Sequence, residues 1–281
     1  MPGKVWVWAL TLAAAVPAGS AELQPATAAA FDKYVRLTEQ RMDTELGPDA
    51  FLWVDRLRGQ ARTEASARLK RGELVIERLR TLEGGSELDA PDGIIHHWLG
   101  LVFLPGVKLQ DAVGLLQDYD RHARIYAPNV AASKTLQKNG DRFRVFLRFY
   151  MKRVIAVTMN TEHEAAFTRP APDRAWSRIH STRIAEVSDA GTPQERELPP
   201  GRDQGFMWRL NTYWRFLERD GGVYIQCESL TLSRGIPFGF GWLIRPFVTS
   251  VPKDSLTFTL EKTREALKTT SSGAPPGGRG E

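Results

Sequence analysis

From Ile94 onward the chain consists of long β-prone runs separated by turn residues. The clearest pair covers residues 205–230, GFMWRLNTYWRFLERDGGVYIQCESL, and its two arms meet at the DGG that begins with Asp220. Because Asp-Gly and Gly-Gly steps between alternating runs favour tight turns, this segment predicts a β-hairpin. The runs IIHHWLGLVFL, DRFRVFLRFY, VIAVTMNTEHEAAF and AWSRIHSTRIAEV predict further strands.

Apolar residues at helical spacing predict helices over residues 28–46 and 51–69, with GPD as a break between them. Next along the chain, ELVIERLR predicts a strand and GGSELDAPDG a loop. The segment VKLQDAVGLLQDYDRHARIYAP predicts helical structure as far as Pro128. The closing segment VPKDSLTFTLEKTREALK predicts a long amphipathic helix with Pro252 in its first turn. Its apolar stripe consists of Leu256, Leu260, Thr263 and Leu267.

The order of elements is one strand, short helices, a run of antiparallel strands and a long final helix. This order predicts an α+β fold in which helices gather on one face of an antiparallel sheet. With 281 residues, 42% of them hydrophobic and 25% charged, the chain can bury a full core in one or two domains. Residues 269–281, TTSSGAPPGGRGE, are a low-complexity tail that cannot contribute to a core.

The first 21 residues have the features of a secretory signal. Lys4 precedes the apolar run VWVWALTLAAAV, and Pro17 and several small residues follow that run. We expect cleavage between Ala21 and Glu22 and a periplasmic or extracellular location; an uncleaved anchor is the alternative. The single cysteine, Cys227, excludes an intramolecular disulfide and is expected to be a small buried hydrophobic residue.

The net charge of +5 is too small to indicate nucleic-acid binding. The segment from Arg56 to Arg80 is more basic, with eight Lys or Arg residues against three Glu. Such a local excess could contact anionic lipid headgroups or an acidic partner. A solvated helix face is the alternative explanation.

Alternation along the first arm of the hairpin places aromatic rings on one face. That face carries Phe206, Trp208, Leu210, Trp214 and Phe216. We expect it to point toward the long helix and to line a pocket for an apolar ligand, although the rings could also simply fill the core.

The second arm leaves two orientations open. If Val223, Ile225, Cys227, Ser229 and Thr231 point inward, the pocket wall here is small and apolar. Glu228 is then a surface charge opposite Arg209 or Arg215, the orientation we favour. In the other orientation Glu228 is a buried acid with a raised pKa.

The histidines do not form a recognisable ligand set. His96 and His97 are adjacent on one strand and therefore point to opposite faces, while His122, His163 and His180 are spread over other elements. No spacing typical of a metal site, nucleotide-binding loop or catalytic nucleophile occurs, so neither a metal nor another cofactor is expected. His180, Glu228 or Asp120 could act as acid or base only if they converge in the folded protein.

The segment SRGIPFGFGWLIRPFVTSVP precedes the final helix and is rich in Gly, Pro and aromatic residues. Flanked by Arg234 and Arg245, it could form a mobile apolar lid, contact a membrane, or pack over the core. The apolar residues concerned are Phe238, Phe240, Trp242, Leu243, Ile244 and Phe247.

The helix followed by LQDYDRHARIYAPNVAASKTL, the meander of strands and the closing helix together resemble the START-like superfamily, also called SRPBCC. This superfamily includes polyketide cyclase/dehydrase and lipid-transport proteins. The resemblance covers residues 91–268 and implies a helix-grip fold, with a curved sheet around the C-terminal helix and a cavity between them. Residues 22–90 form an N-terminal helical extension outside that common core.

These observations predict an exported protein that binds or carries a hydrophobic molecule such as a lipid. The expected pocket adds Trp98 to the aromatic face and to the segment from Phe238 to Phe247, with His180 and Glu228 as possible polar groups. Two alternatives remain: a cyclase/dehydrase-type enzyme that uses the same cavity, and an interaction module with a filled core.

Overall fold

The structure is a computed structural model. It describes residues 22–47, 50–152, 156–235 and 241–272, and it describes their side chains except at 241–249 and 270–272. The expected signal segment 1–21 therefore lies outside the described residues.

Nine strands form one antiparallel sheet in the order β1-β4-β11-β10-β8-β7-β6-β5, and β9 pairs with β8 beside this path. The bounds are β1 Val75–Arg78, β4 Gly93–Pro105, β5 Val130–Asn139, β6 Arg142–Lys152, β7 Ala156–Ala171, β8 Arg174–Ser188, β9 Arg196–Glu197, β10 Arg209–Arg219 and β11 Gly222–Arg234. Two short strands, β2 Leu82–Glu83 and β3 Ser86–Glu87, pair with each other. The predicted hairpin is confirmed as β10 and β11, and ELVIERLR contains β1. The predicted loop GGSELDAPDG instead contributes β3 to the small ladder.

Helices lie at both ends of the chain and between β4 and β5. Their bounds are α1 Pro25–Glu45, α2 Trp53–Arg56, α3 Gly59–Lys70, α4 Leu109–Gln117, α5 His122–Ile125 and α6 Gly241–Ser272, with a 3-10 turn at Tyr119–Arg121. The predicted helix over 51–69 is divided, because Leu57 and Arg58 have extended backbone. The final helix begins at Gly241, so Pro252 lies inside it and not in its first turn.

One face of the sheet, here called the concave face, packs against α6 and α4. The predicted stripe is confirmed, since Leu256, Leu260, Thr263 and Leu267 are all buried. Gly100 of β4 lies beneath this stripe, and its missing side chain leaves room for Leu260. The long helix is thus held closely against the middle of the sheet.

The opposite, convex face is covered by the N-terminal helices. Phe31, Tyr34 and Met42 of α1 pack with Leu230 and Leu232 of β11. Residues around α2 and α3 pack over Leu101, Phe103, Leu217 and Tyr224. The expectation that helices gather on one face is therefore wrong, and the segment 22–90 also contributes the edge strand β1, which pairs with β4.

None of the described helices is long and apolar enough to cross a membrane.

We expect Gly100→Ala to destabilise the fold by about 1–3 kcal/mol, because the added Cβ overlaps Leu260 Cδ1 and lies 3.0 Å from Ile76 Cδ1. Urea denaturation measures the free energy of unfolding. The matched control is Gly114→Ala in α4, where an added Cβ meets no atom within 4 Å and where alanine favours the helix by about 0.5–1 kcal/mol. Equal stability of Gly100→Ala and the unmodified protein would show that α6 does not pack at this position.

Candidate functional site

The concave face is filled at the end that α4 covers. Directly paired residues of neighbouring strands share a face, so the pairing places Val102, Ile225, Phe216 and Ala175 side by side. All four are buried and belong to one core cluster with Leu109, Ala112, Val113 and Leu116 of α4. This end of the sheet is packed as an ordinary hydrophobic core.

Further along the same strands, the concave face is only half-buried. Five neighbouring side chains on β4, β10 and β11 share this property: Trp98, Leu210, Thr212, Ser229 and Thr231. We call this patch the concave hollow.

The alternating residues on the convex side of the same stretches are more deeply buried, as Leu99, Tyr213, Glu228 and Leu230 show. The sheet is thus more accessible on the side that faces α6 than on the side that α1 covers. The side chains of the hollow are therefore less completely covered by the described residues than those on the convex side.

No charged side chain belongs to the concave hollow. His96 lies at its edge, opposite Thr231, and its Nε2 is 3.1 Å from Ser233 Oγ. Burial, with a smaller effect of the Arg78 charge, lowers the pKa of His96 to about 4, so this imidazole is neutral at physiological pH. Among the described residues, charged side chains begin only at the rim, where Arg78 pairs with Trp98 across the strands and Lys253 Nζ lies 6.0 Å from the Trp98 ring centroid.

The expected aromatic face is confirmed in part. Trp214 and Phe216 point to the concave side, where their rings stack at a centroid distance of 6.2 Å. Both are buried in the filled end, whereas Trp98 and Leu210 belong to the hollow. That any of these four residues binds a ligand stays a prediction.

Two members of that face are placed differently. Trp208 packs with α1 on the convex side, because β10 begins only at Arg209 and strand alternation does not extend back to it. Its indole Nε1 is 3.3 Å from Asp203 Oδ1. Phe206 precedes β10 and is 39% exposed. Alternation therefore predicted the wrong face for Trp208, because Trp208 precedes the first residue of β10.

The proposed lid lies mostly outside the described side chains. Phe238 and Phe240 fall outside the described residues altogether. Trp242, Leu243, Ile244 and Phe247 lie in the first turns of α6, but their side chains are not among those described. Their predicted contribution to the pocket is neither supported nor contradicted.

The favoured orientation of β11 is correct, because Val223, Ile225 and Cys227 are in the concave core. The inference that the wall is small and apolar holds for these three residues but fails for Ser229 and Thr231, which bring hydroxyl groups to the hollow.

Glu228 points to the convex face as expected, yet it is buried instead of lying on the surface, because α1 covers it. Its Oε1 accepts a 2.6 Å hydrogen bond from His97 Nε2 and forms an ion pair with Arg41 of α1. Burial raises the pKa of the Glu228 carboxyl, but the hydrogen bond from His97 and the charges of Arg41 and Arg215 together hold it below its usual range. Arg215 itself pairs with Glu45 at 3.0 Å.

A chain of hydrogen bonds extends from Glu228 through His97 into α1. The Thr81 backbone N–H donates to the Tyr34 oxygen at 2.9 Å, and the Tyr34 O–H is 2.9 Å from His97 Nδ1. Donation from Tyr34 to Nδ1 leaves the Nε2 proton of His97 for Glu228. Strand alternation predicts that His97 and His96 point to opposite faces. The sequence gives no sign of Tyr34 and Glu228 as partners of His97, because both lie far from it along the chain.

The candidate acids and bases do not converge at the hollow. His180 lies on the convex side, 2.8 Å from Glu39 of α1, so its assignment to the pocket is wrong, as is that of Glu228. Asp120 lines a separate surface pocket of about 330 Å³ with Tyr119 and Lys138. Among the described residues, no group of His, Cys, Asp or Glu side chains could hold a metal ion.

The basic segment is partly used in internal pairs. Arg56 pairs with the buried Glu45, and Arg80 Nη1 is 2.8 Å from Glu87. Arg58, which precedes α3, and Arg62 within α3 are exposed. Contact of this segment with a membrane stays a prediction.

We expect Glu228→Gln to lower the free energy of unfolding at pH 7 by about 1–3 kcal/mol, because it removes the buried carboxylate that His97 and Arg41 contact, while Arg41 keeps its ion pair with Glu45. Because the pKa of Glu228 is lower in the folded protein than its ordinary value of 4.5, the ionised carboxyl stabilises the fold above pH 4.5. This contribution is lost as the pH falls through the pKa of the folded state. The variant should therefore lose less stability than the unmodified protein on acidification.

Urea titrations at pH 7 and at successively lower pH measure both effects. The control is Glu164→Gln, which removes an exposed carboxyl from the outer face of β7 and should change stability little. A Glu228→Gln protein as stable as this control would contradict the role assigned to the ion pair.

Comparison with known proteins gives structural likenesses only. The chain matches no family model and no curated protein. Among solved structures it is similar to a STAR-related lipid transfer protein from Xanthomonas axonopodis, with 19% identity over 64% of this chain and 96% of that chain (TM-score 0.43). It is also similar to the Zhui aromatase/cyclase from Streptomyces sp. R1128, with 13% identity over 65% and 100% (TM-score 0.44). Human STARD10 is 9% identical over 76% of this chain and 81% of that chain (TM-score 0.44). The described residues form a nine-stranded antiparallel sheet with a long C-terminal helix against one face, the α+β arrangement that the START-like resemblance of the sequence implies.

Proposed function

We propose that the protein binds or carries a hydrophobic small molecule of the lipid class in the concave hollow. The observation that supports this proposal is the half-burial of five neighbouring side chains on the face that α6 covers, while the convex face of the same strands is fully buried. Binding sites for small molecules commonly combine apolar walls with a few polar groups that fix orientation, and the hollow offers Trp98 and Leu210 beside the hydroxyls of Thr212, Ser229 and Thr231.

The walls of the hollow can stabilise an apolar ligand. Trp98 and Leu210 contribute apolar surface, and the filled core with Trp214 lies next to them on the same face. Each Å² of apolar surface removed from water contributes about 25 cal/mol. A chain or ring system laid over Trp98 and Leu210 would therefore gain most of its binding energy from burial.

We also propose that the protein is exported from the cytoplasm, a proposal that the apolar run after Lys4 supports. Arg78 and Lys253 lie at the rim of the hollow, and Arg58 and Arg62 are exposed at the start of α3, on the convex side of the sheet. This arrangement supports contact with an anionic membrane surface, from which a lipid could be taken up or to which it could be delivered.

Native mass spectrometry of the protein purified from its export compartment tests the proposal. We expect a stoichiometric apolar molecule that solvent extraction releases for identification. A ligand-free mass that does not change on incubation with membrane lipids would contradict lipid binding.

A substitution that fills the hollow gives a second test. Thr212→Trp places an indole beside Ser229, the residue opposite on β11, so ligand occupancy should fall about tenfold or more, equivalent to at least about 1.4 kcal/mol. The matched control Thr168→Trp adds the same ring on the exposed face of β7 and should retain the ligand. Equal occupancy in both variants, with folding verified by urea denaturation, would place the ligand elsewhere.

A further inference from the structure

A ladder of hydroxyl groups crosses the concave hollow. Ser229, Thr231 and Ser233 occupy alternate positions of β11, so all three project toward the concave face. Thr212 of β10 stands directly opposite Ser229. The next row along β10 and β8 pairs Trp214 with Ser177, which adds a further hydroxyl at the inner end.

Part of this hydroxyl ladder lacks hydrogen-bond partners. Thr231 Oγ1 and Ser177 Oγ are buried and have no partner among the described residues, and Ser177 is only 1% exposed. Ser233, by contrast, is bonded to His96. Because an unpartnered buried hydroxyl costs about 1–3 kcal/mol, a ligand oxygen that reached these groups after a side-chain rotation would recover that cost.

No described side chain on the concave face between the rungs of the ladder is charged. His96 is neutral, and Glu228, on the same strand, faces α1 on the other side of the sheet. Arg78 and Lys253 stand at the rim, outside the ladder. An anionic group placed on the ladder would thus lose hydration and face cations only at the rim, whereas an uncharged oxygen would lose less hydration and gain hydroxyl donors.

We infer that the hollow selects an uncharged lipid-like ligand whose ester, ketone or hydroxyl oxygen bonds to Ser229 and Thr231, while its apolar body covers Trp98 and Leu210. This inference rests on the proposed function, since it concerns the same hollow. The hydroxyl ladder fixes the position of the ligand oxygen. The apolar walls bind the apolar body of the ligand whether or not the ligand carries that oxygen.

Three radiolabelled probes of equal chain length separate these contributions: hexadecane, hexadecanol and palmitate, delivered from cyclodextrin to the full-length protein at pH 7. We expect hexadecanol to bind about tenfold more tightly than hexadecane, the effect of one or two hydrogen bonds. Palmitate should bind more weakly than hexadecanol.

The test variant is Ser229→Ala combined with Thr231→Val, which removes two hydroxyls and largely conserves shape. It should lose about tenfold in hexadecanol affinity and keep its hexadecane affinity. The matched control, Ser86→Ala with Thr168→Val, removes two exposed hydroxyls and should bind all probes as the unmodified protein does. Urea denaturation verifies that both double variants fold.

The outcomes distinguish this inference from the proposed function. Equal binding of hexadecane and hexadecanol, unaffected by the test variant, would overturn the role of the ladder and leave the apolar site in place. Tighter binding of palmitate than of hexadecanol would also overturn it, and would indicate that Arg78 and Lys253 at the rim dominate. Binding of no probe to the unmodified protein would overturn both proposals.

Discussion

The structure depends on the buried contact of Glu228 with His97 and Arg41. A carboxylate removed from water is tolerated only when charges and hydrogen bonds replace its hydration. Here the replacement comes from β4 and from α1, so the middle of the sheet and the first helix must be present together. The hydrogen bonds through Tyr34 to Thr81 extend this requirement to the segment between α3 and β4.

This contact gives the two faces of the sheet different properties. On β11, Glu228 and Leu230 are buried beneath α1, while Ser229 and Thr231, which alternate with them, remain half-buried. The convex face is occupied by the chain itself and is therefore unsuited to a small ligand. The concave face, once its inner end is filled by α4 and Phe216, retains the accessible surface.

Local patterns in the sequence predicted the parts of the fold that depend on local periodicity. The hairpin at Asp220 and the buried stripe of α6 follow from spacings of two and of three or four residues. The burial of Glu228 does not, because its partner Arg41 lies far away in the chain and no local feature of either residue indicates the other. Trp208 was misplaced for a related reason, since alternation gives no information about where a strand begins. Strand alternation places Ser229 and Thr231 on the same face as Cys227. Only the structure shows that Cys227 is buried in the core while Ser229 and Thr231 are half-buried.

The pairing of β1 with β4 bears on which part of the chain can fold independently. The likeness to the START-like superfamily begins near residue 91, but an excised chain starting there would expose the backbone edge of β4 and leave the Glu228 carboxylate without Arg41. An unpaired sheet edge invites association with other chains. The segment from α1 to β1 thus completes the sheet, because it covers the convex face and pairs with the edge of β4.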